Sequence, residues 1–312
     1  KDCESYCTEV TTYELPSKPP VIHAYLKSEL PNAPTIIMYN HYDVQPADEP
    51  DWISDPFKPY INGNTIIARG AQDNKGQLFI VREVLRNNHL RLKYNIHWII
   101  DGQEEIASPD FMRIIQPLSI DKPIDAICVM DCDIGSLQDP MITMGTRGLL
   151  AFEMRIKTAE KAKHSGLFGG IAPNAASIMS SICASFYDTD MNIRIDGFRD
   201  IKKDDDYTYY DAQTDQAKSW LEPALDINGI YSGYCGDHIK TIIPHIATAK
   251  CSARLIPGQD PQHIFNIIQA HINQHPMTRS IDISIEQLPG ASKAVRTSMD
   301  HPIATELYNS YH

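Results

Sequence analysis

The sequence predicts an α/β domain followed by a separate α+β domain, and three observations carry that reading. Ile- and Val-rich runs in the first half stop at a His or a carboxylate, with a helical pattern between two of them. After Gly148 apolar residues alternate with charged ones, the mark of half-exposed strands. Helix-like runs then separate those strands, an order that suits a second, α+β unit of about 150 residues.

In order, "TIIMYNH" ends at His41, "NTIIARGAQD" at Asp73, "IHWIIDGQEE" at Glu104 and Glu105, and "AICVMD" at Asp131. Between the second and third, "GQLFIVREVLRNNHL" spaces Leu78, Val81 and Leu85 as one face of a helix. Such runs suggest a largely buried sheet. Beyond "GTRG", "AFEMRIK" sets Phe152, Met154 and Ile156 against Glu153, Arg155 and Lys157. "NAASIMSSICASFY" reads as a helix, and residues 199–216 as an acidic, tyrosine-rich, solvated surface segment. "ATAKCSARLIP" alternates again, and "QHIFNIIQAHI" is a helix with Asp260 as N-cap and Pro261 at its first position. "SIDISIEQL" alternates Ile281, Ile283 and Ile285.

The chain has 312 residues, 42% hydrophobic and 22% charged, with a formal charge of −12. That balance is ordinary for a globular protein and argues against nucleic acid or an anionic membrane as main partner, since both select a basic face. No stretch has the length of a membrane span or the form of a signal peptide. Seven scattered cysteines without a C-x-x-C pair suit a reduced, cytoplasmic chain.

The carboxyl ends of strands in an open α/β sheet collect the ligand site. His41, Asp73, Glu104, Glu105 and Asp131 can therefore converge, although 90 residues separate the first from the last. Taken singly, His41 also reads as a loop histidine, Asp73 as a turn or capping acid, and Asp131 or Asp133 as a strand-end turn. Glu104–Glu105 reads equally as a charged loop. Together, so many anionic donors in one cleft repel one another unless a cation sits among them. One His with several carboxylates suits zinc, and with more open coordination manganese or cobalt.

These motifs resemble the dinuclear-zinc peptidase/deacylase family, nearest its carnosinase-like dipeptidases. The resemblance rests on "HYDVQP", "ARGAQDNKG", "DGQEEIAS", "MDCD" before "PMITMGTRG", "HSGLFGG" and "TIIP…ARLIPGQDP", in the family's order from about residue 9 onward. It implies a catalytic domain with a mainly parallel sheet over 1–148 and an inserted, ferredoxin-like lid and dimerisation domain over 149–300. Residues 301–312 would begin a return to the catalytic domain, the remainder being absent, as would be a helix and strand ahead of residue 1. His312 matches no family ligand.

The resemblance further implies two divalent ions, zinc first. His41 and Asp131 would hold one, Glu105 the other, and Asp73 both. Asp43 would orient the His41 imidazole through its second nitrogen. Glu104 would take a proton from the attacking water and return it to the leaving amine. His164 would reach the active site of a partner subunit and help hold the carbonyl oxyanion. Thr241 and Arg254 would bind the substrate carboxylate, with Asn174 on the same surface. The expected activity is hydrolysis of dipeptides or related amides with a free carboxylate, in a homodimer. An N-acyl-amino-acid deacylase and a non-catalytic, peptide-binding relative are the alternatives. Two positions depart from the family pattern: Asp101 stands where Glu is usual, and Ala162 where Asp is usual.

Overall fold

The computed structural model describes residues 3–118, 123–132, 141–200 and 215–310. The chain divides into two compact units, Lys1–Ile142 with Glu306–His312, and Thr143–Thr305.

The first unit is built on a five-stranded sheet. Its strands are β1 (Glu9–Leu15), β2 (Lys18–Leu26), β3 (Thr35–His41), β6 (Asn95–Asp101) and β7 (Ala126–Val129). A two-stranded hairpin, β4 (Tyr60–Asn62) and β5 (Thr65–Ile67), stands apart from it. The order is β1-β2-β6-β3-β7, with β3 parallel to both β6 and β7. The β1–β2 and β2–β6 pairs are antiparallel, so the sheet is mixed where a mainly parallel one was expected. The β1–β2 pairing has a local cause: Leu15 pairs with Lys18 across a tight turn in which Ser17 takes a left-handed φ of 59°. A two-residue connection folds the chain straight back, whereas a parallel partner needs a long crossover.

β3 is paired on both sides, and six of its seven residues are buried, which explains an apolar run without alternation. One sheet face buries Val21, Ile37, Tyr39 and Ile99 against Ile114 of α2 (Phe111–Leu118). Helix α1 (Lys75–Asn88) buries Val81 and Leu85, the spacing its sequence predicts. Residue Glu306 of α7 (Pro302–Ser310) accepts hydrogen bonds from Lys93 Nζ at 3.1 Å and from the Tyr94 hydroxyl.

The second unit carries a four-stranded antiparallel sheet in the order β11-β13-β9-β14. Its strands are β9 (Gly148–Lys157), β11 (Ala224–Ser232), β13 (Ile246–Leu255) and β14 (Asp282–Gln287). Strict alternation puts Leu150, Phe152, Met154 and Ile156 on one face, fully buried under α4 (Ala175–Ala184) and α6 (Pro261–Gln274). Each such side chain contributes about 1.5–3 kcal/mol relative to exposure. Helix α6 starts as its sequence predicts: the Asp260 carboxylate accepts from the amides of Gln262 and His263, and Pro261 follows. Small elements complete the unit: β8 (Gly145–Thr146) with β15 (Val295–Arg296), β10 (Lys163–His164) with β12 (Ile242–Ile243), α3 (Ser165–Phe168) and α5 (Asp215–Leu221). The stretch 199–216, expected to be a solvated segment, lies largely outside the described residues, as do Asp133 and His312.

Candidate metal centre

Parallel pairing decides where the chemistry gathers. His41 pairs with Asp101 at the ends of β3 and β6, and Tyr39 with Val129 on β7, so three strand ends share one edge of the sheet. The loops that follow carry Asp43, Glu104 with Glu105, and Asp131.

Asp73 arrives by another route. Its run was expected to be a fourth strand ending at the site, but β5 stops at Ile67 and belongs to the separate hairpin. Asp73 instead lies in the turn before α1, where Asn74 is the capping residue. That turn comes close to the loop after His41 because Gly70, at φ 77°, has no Cβ; one added there would collide with Val44.

The His41 ring is fully buried. Its Nε2 lies 2.9 Å from Asp73 Oδ1 and 3.5 Å from Asp131 Oδ2, and its Nδ1 lies 3.3 Å from Asp43 Oδ1. The Asp43 carboxylate also accepts the amides of Glu104 (3.2 Å) and Glu105 (3.0 Å), pinning the single 3₁₀ turn Glu104–Ile106. That turn closes on Ala107 in the left-handed region. Asp101, buried behind it, accepts from Ser108 Oγ at 2.6 Å, Tyr39 Oη at 3.1 Å and the Gln103 amide at 2.9 Å. Both Asp101 oxygens are thus occupied.

Charge is out of balance here. Burial, the largest influence on His41, pushes its pKa down. The hydrogen bond and charge of Asp131, with the charges of Glu104 and Asp73, outweigh it and hold the ring at about 9. Burial raises the Glu104 carboxyl; His41 opposes that, while Glu105, Asp131 and Asp43 add to it. Asp131 is lowered by its hydrogen bond to His41 and then by Asn74, against burial. His41, Asp73 and Glu105 each offer a donor atom, all within 4.8 Å of one another. One imidazole and carboxylates around a common point, with more carboxylates behind, fit a divalent cation better than a proton-mediated cluster.

In the second unit His164, Thr241 and Asn174 lie around residues 241–244, whereas Arg254 lies near the far end of β13. His164 pairs with Ile242, and the Ser165 amide donates to the Thr241 carbonyl at 2.9 Å, so His164 and Thr241 are neighbours. His164 Nδ1 accepts the Gly166 amide at 3.0 Å, capping α3. Asn174 caps α4 through the amides of Ala176 and Ser177, and the Ala175 amide reaches the Pro244 carbonyl. Arg254 stands exposed on β13, opposite Ala224 and Leu149.

Two residues at the first site were not singled out from the sequence. Gln45 donates to Glu105 Oε2 at 2.8 Å, and Asn74 donates to Asp131 Oδ1 at 2.7 Å. Both sit inside motifs already noticed, "HYDVQP" and "DNKG", and that proximity was the available signal.

A mixed α/β sheet with histidine and carboxylates at its strand ends defines the class of α/β proteins with a carboxylate-rich metal centre. The chain belongs to Peptidase family M20/M25/M40, whose profile matches residues 37–311. It is similar to mouse Beta-Ala-His dipeptidase, 28% identical over 288 residues, covering 82% of this chain and 58% of the relative. It is also similar to the Cys-Gly metallodipeptidase DUG1 of Saccharomyces cerevisiae, 27% identical over 82% of this chain and 60% of that one. The chain therefore spans about three fifths of the length of these relatives. Among solved structures, an M20 family metallo-carboxypeptidase from Sulfolobus solfataricus superposes with a TM-score of 0.79. It is 26% identical and covers 99% of this chain and 75% of its own. Human carnosine dipeptidase 1 gives 0.74, with 25% identity over 97% of this chain and 73% of its own. No helix among the described residues is long and apolar enough to cross a membrane.

Proposed function

We propose that this protein is a metal-dependent hydrolase of dipeptides or closely related amides bearing a free carboxylate. The observation that carries the reading is the convergence of His41, Asp73 and Glu105 donor atoms within 4.8 Å, next to the half-buried Glu104. His41 and Asp131 would hold one divalent ion, Glu105 the other, and Asp73 would serve both; zinc would suit the donor set, and manganese or cobalt could replace it. Bound there, the ions supply a water that ionises near neutral pH and polarise the scissile carbonyl.

The chain's own groups do the rest. Asp43 fixes the His41 ring from its Nδ1 side and holds the Glu104–Glu105 turn by its amides. The Glu104 carboxylate takes the water proton as the water oxygen bonds to the carbonyl carbon. It returns that proton to the amine nitrogen as the C–N bond breaks.

Residues 149–300 form the inserted, ferredoxin-like lid through which the protein forms a homodimer in the cytoplasm. His164 crosses to the partner's site and donates to the developing oxyanion. Arg254 and Thr241 receive the substrate carboxylate, with Asn174 on the surface that carries Thr241. Similarity to a Beta-Ala-His dipeptidase and a Cys-Gly metallodipeptidase supports dipeptides over N-acyl amino acids.

The test is an amine-release assay of the full-length protein on three substrates: a dipeptide, its C-terminal amide and an N-acetyl amino acid. The proposal expects the first to be cleaved best and the amide to lose most of its rate. Preference for the N-acetyl amino acid would make the protein a deacylase, and no cleavage of any would make it a binding relative.

A further inference from the structure

Behind the candidate metal centre lies a chain of hydrogen bonds that runs in one direction from β6 through β3 and the start of α1 to the loop after β7. Trp98 on β6 donates its indole N–H to Asn40 Oδ1 at 3.0 Å. Asn40, on β3, donates from Nδ2 to Asn74 Oδ1 at 2.7 Å and to the Met130 carbonyl at 3.1 Å. Asn74 donates from its own Nδ2 to the Met130 carbonyl at 2.8 Å and to Asp131 Oδ1 at 2.7 Å. Asn74 Oδ1 also accepts the His41 amide at 3.2 Å. Trp98, Asn40 and Asn74 are each 0% exposed.

The direction is set by chemistry. An indole N–H donates and never accepts, so the Asn40 oxygen must face it. The Asn40 amide then has only N–H groups left for Asn74, whose oxygen must turn toward them. Asn74 is left with its N–H groups facing Asp131, and a carboxylate accepts without donating. Reversing either amide would set oxygen against oxygen at one end and N–H against N–H at the other. Every donor and acceptor in the relay is used, which is the condition under which a buried polar network holds one arrangement.

We propose that Trp98, Asn40 and Asn74 are positioning residues that engage one oxygen of Asp131 and leave the other turned to the metal centre. Asp131 Oδ1 is taken by Asn74, while Oδ2 faces His41 Nε2 at 3.5 Å. The same Asn74 oxygen accepts the His41 backbone amide, so one amide touches two of the metal-site residues. The relay rests on the assignment of His41 and Asp131 as metal ligands, and the experiment separates the two claims.

Full-length protein, stripped of metal, is titrated with Co²⁺, and affinity and visible absorption band are recorded. Wild type should bind Co²⁺. Trp98→Phe removes the donor that sets the direction, and should weaken binding by about 10–100-fold, as loss of a partner behind a ligand does. Its cobalt band should change shape, because the ligand oxygen is no longer held. Asn40→Ser, too short to reach Asn74, should do the same and serves if Trp98→Phe does not fold. Ile99→Ala destabilises the same strand on its other face, within the Val21, Ile37, Tyr39 and Ile114 cluster, and should keep wild-type affinity and band. Unchanged affinity and band in both relay variants would overturn the relay, as would an equal loss in Ile99→Ala. Failure of wild type to bind Co²⁺ would instead overturn the ligand assignment on which the relay rests.

Discussion

The Asp43 carboxylate touches His41 and Glu105 at once: one oxygen lies 3.3 Å from the imidazole Nδ1, the other accepts the Glu105 amide at 3.0 Å. One side chain thereby couples the end of β3 to the turn after β6. Asp43→Asn keeps the shape and one acceptor oxygen but gives up the charge and the second acceptor. The expected result is a loss of metal affinity of about 10–100-fold, read by competition with a chromogenic chelator. Unchanged affinity would mean that His41 is oriented by other contacts.

Glu104→Gln separates proton transfer from metal holding. Metal content should stay at the wild-type level while kcat falls about 10²–10⁴-fold for a shuttle used twice in one turnover. Loss of metal along with activity would make Glu104 a ligand and reassign the base.

His164 gives a test of assembly. Mixed subunits carrying His164→Ala and Glu104→Gln should regain part of the activity that each variant lacks alone, because one site of each heterodimer has both groups intact. Verified heterodimers that stay inactive would confine His164 to its own subunit or remove it from the reaction.

Contact between the buried His23 and the half-buried His97 predicts how the first unit responds to acid. His23 Nε2 lies 2.9 Å from His97 Nδ1, and burial, with the His97 charge second, holds the His23 pKa at about 4. The unfolded chain takes up a proton near the ordinary 6.5, which the folded chain refuses until about 4. Stability from this group is therefore complete above 6.5 and is lost as pH falls toward 4, by about 3 kcal/mol at most. Urea midpoints measured from pH 7 to 4 should fall less steeply in His23→Gln than in wild type. Parallel slopes would contradict the assignment.

What could be read from the sequence follows a physical divide. Strand alternation in Phe152–Met154–Ile156, the α1 spacing and the Asp260 cap are local, so neighbouring residues reveal them. His41 and Asp131 stood out because polar residues closing apolar runs are conspicuous. Asp73 also closes such a run, but a short hairpin strand and a central strand look alike in composition, and its run proved to be the hairpin. The antiparallel β1–β2 edge hung on a turn without a glycine signal. The Trp98–Asn40–Asn74 relay joins residues up to 58 positions apart through amide orientation, for which linear order carries no mark.

The central claim is that side chains from three strand ends and one helix start hold divalent metal. Metal analysis of the full-length protein, purified and dialysed against zinc, tests it most directly when wild type and Asp73→Ala are compared by mass spectrometry. About two ions per chain in wild type and fewer than one in Asp73→Ala is the expected result, because Asp73 is assigned to both ions. Wild type without bound metal, or Asp73→Ala with the wild-type content, would contradict the account.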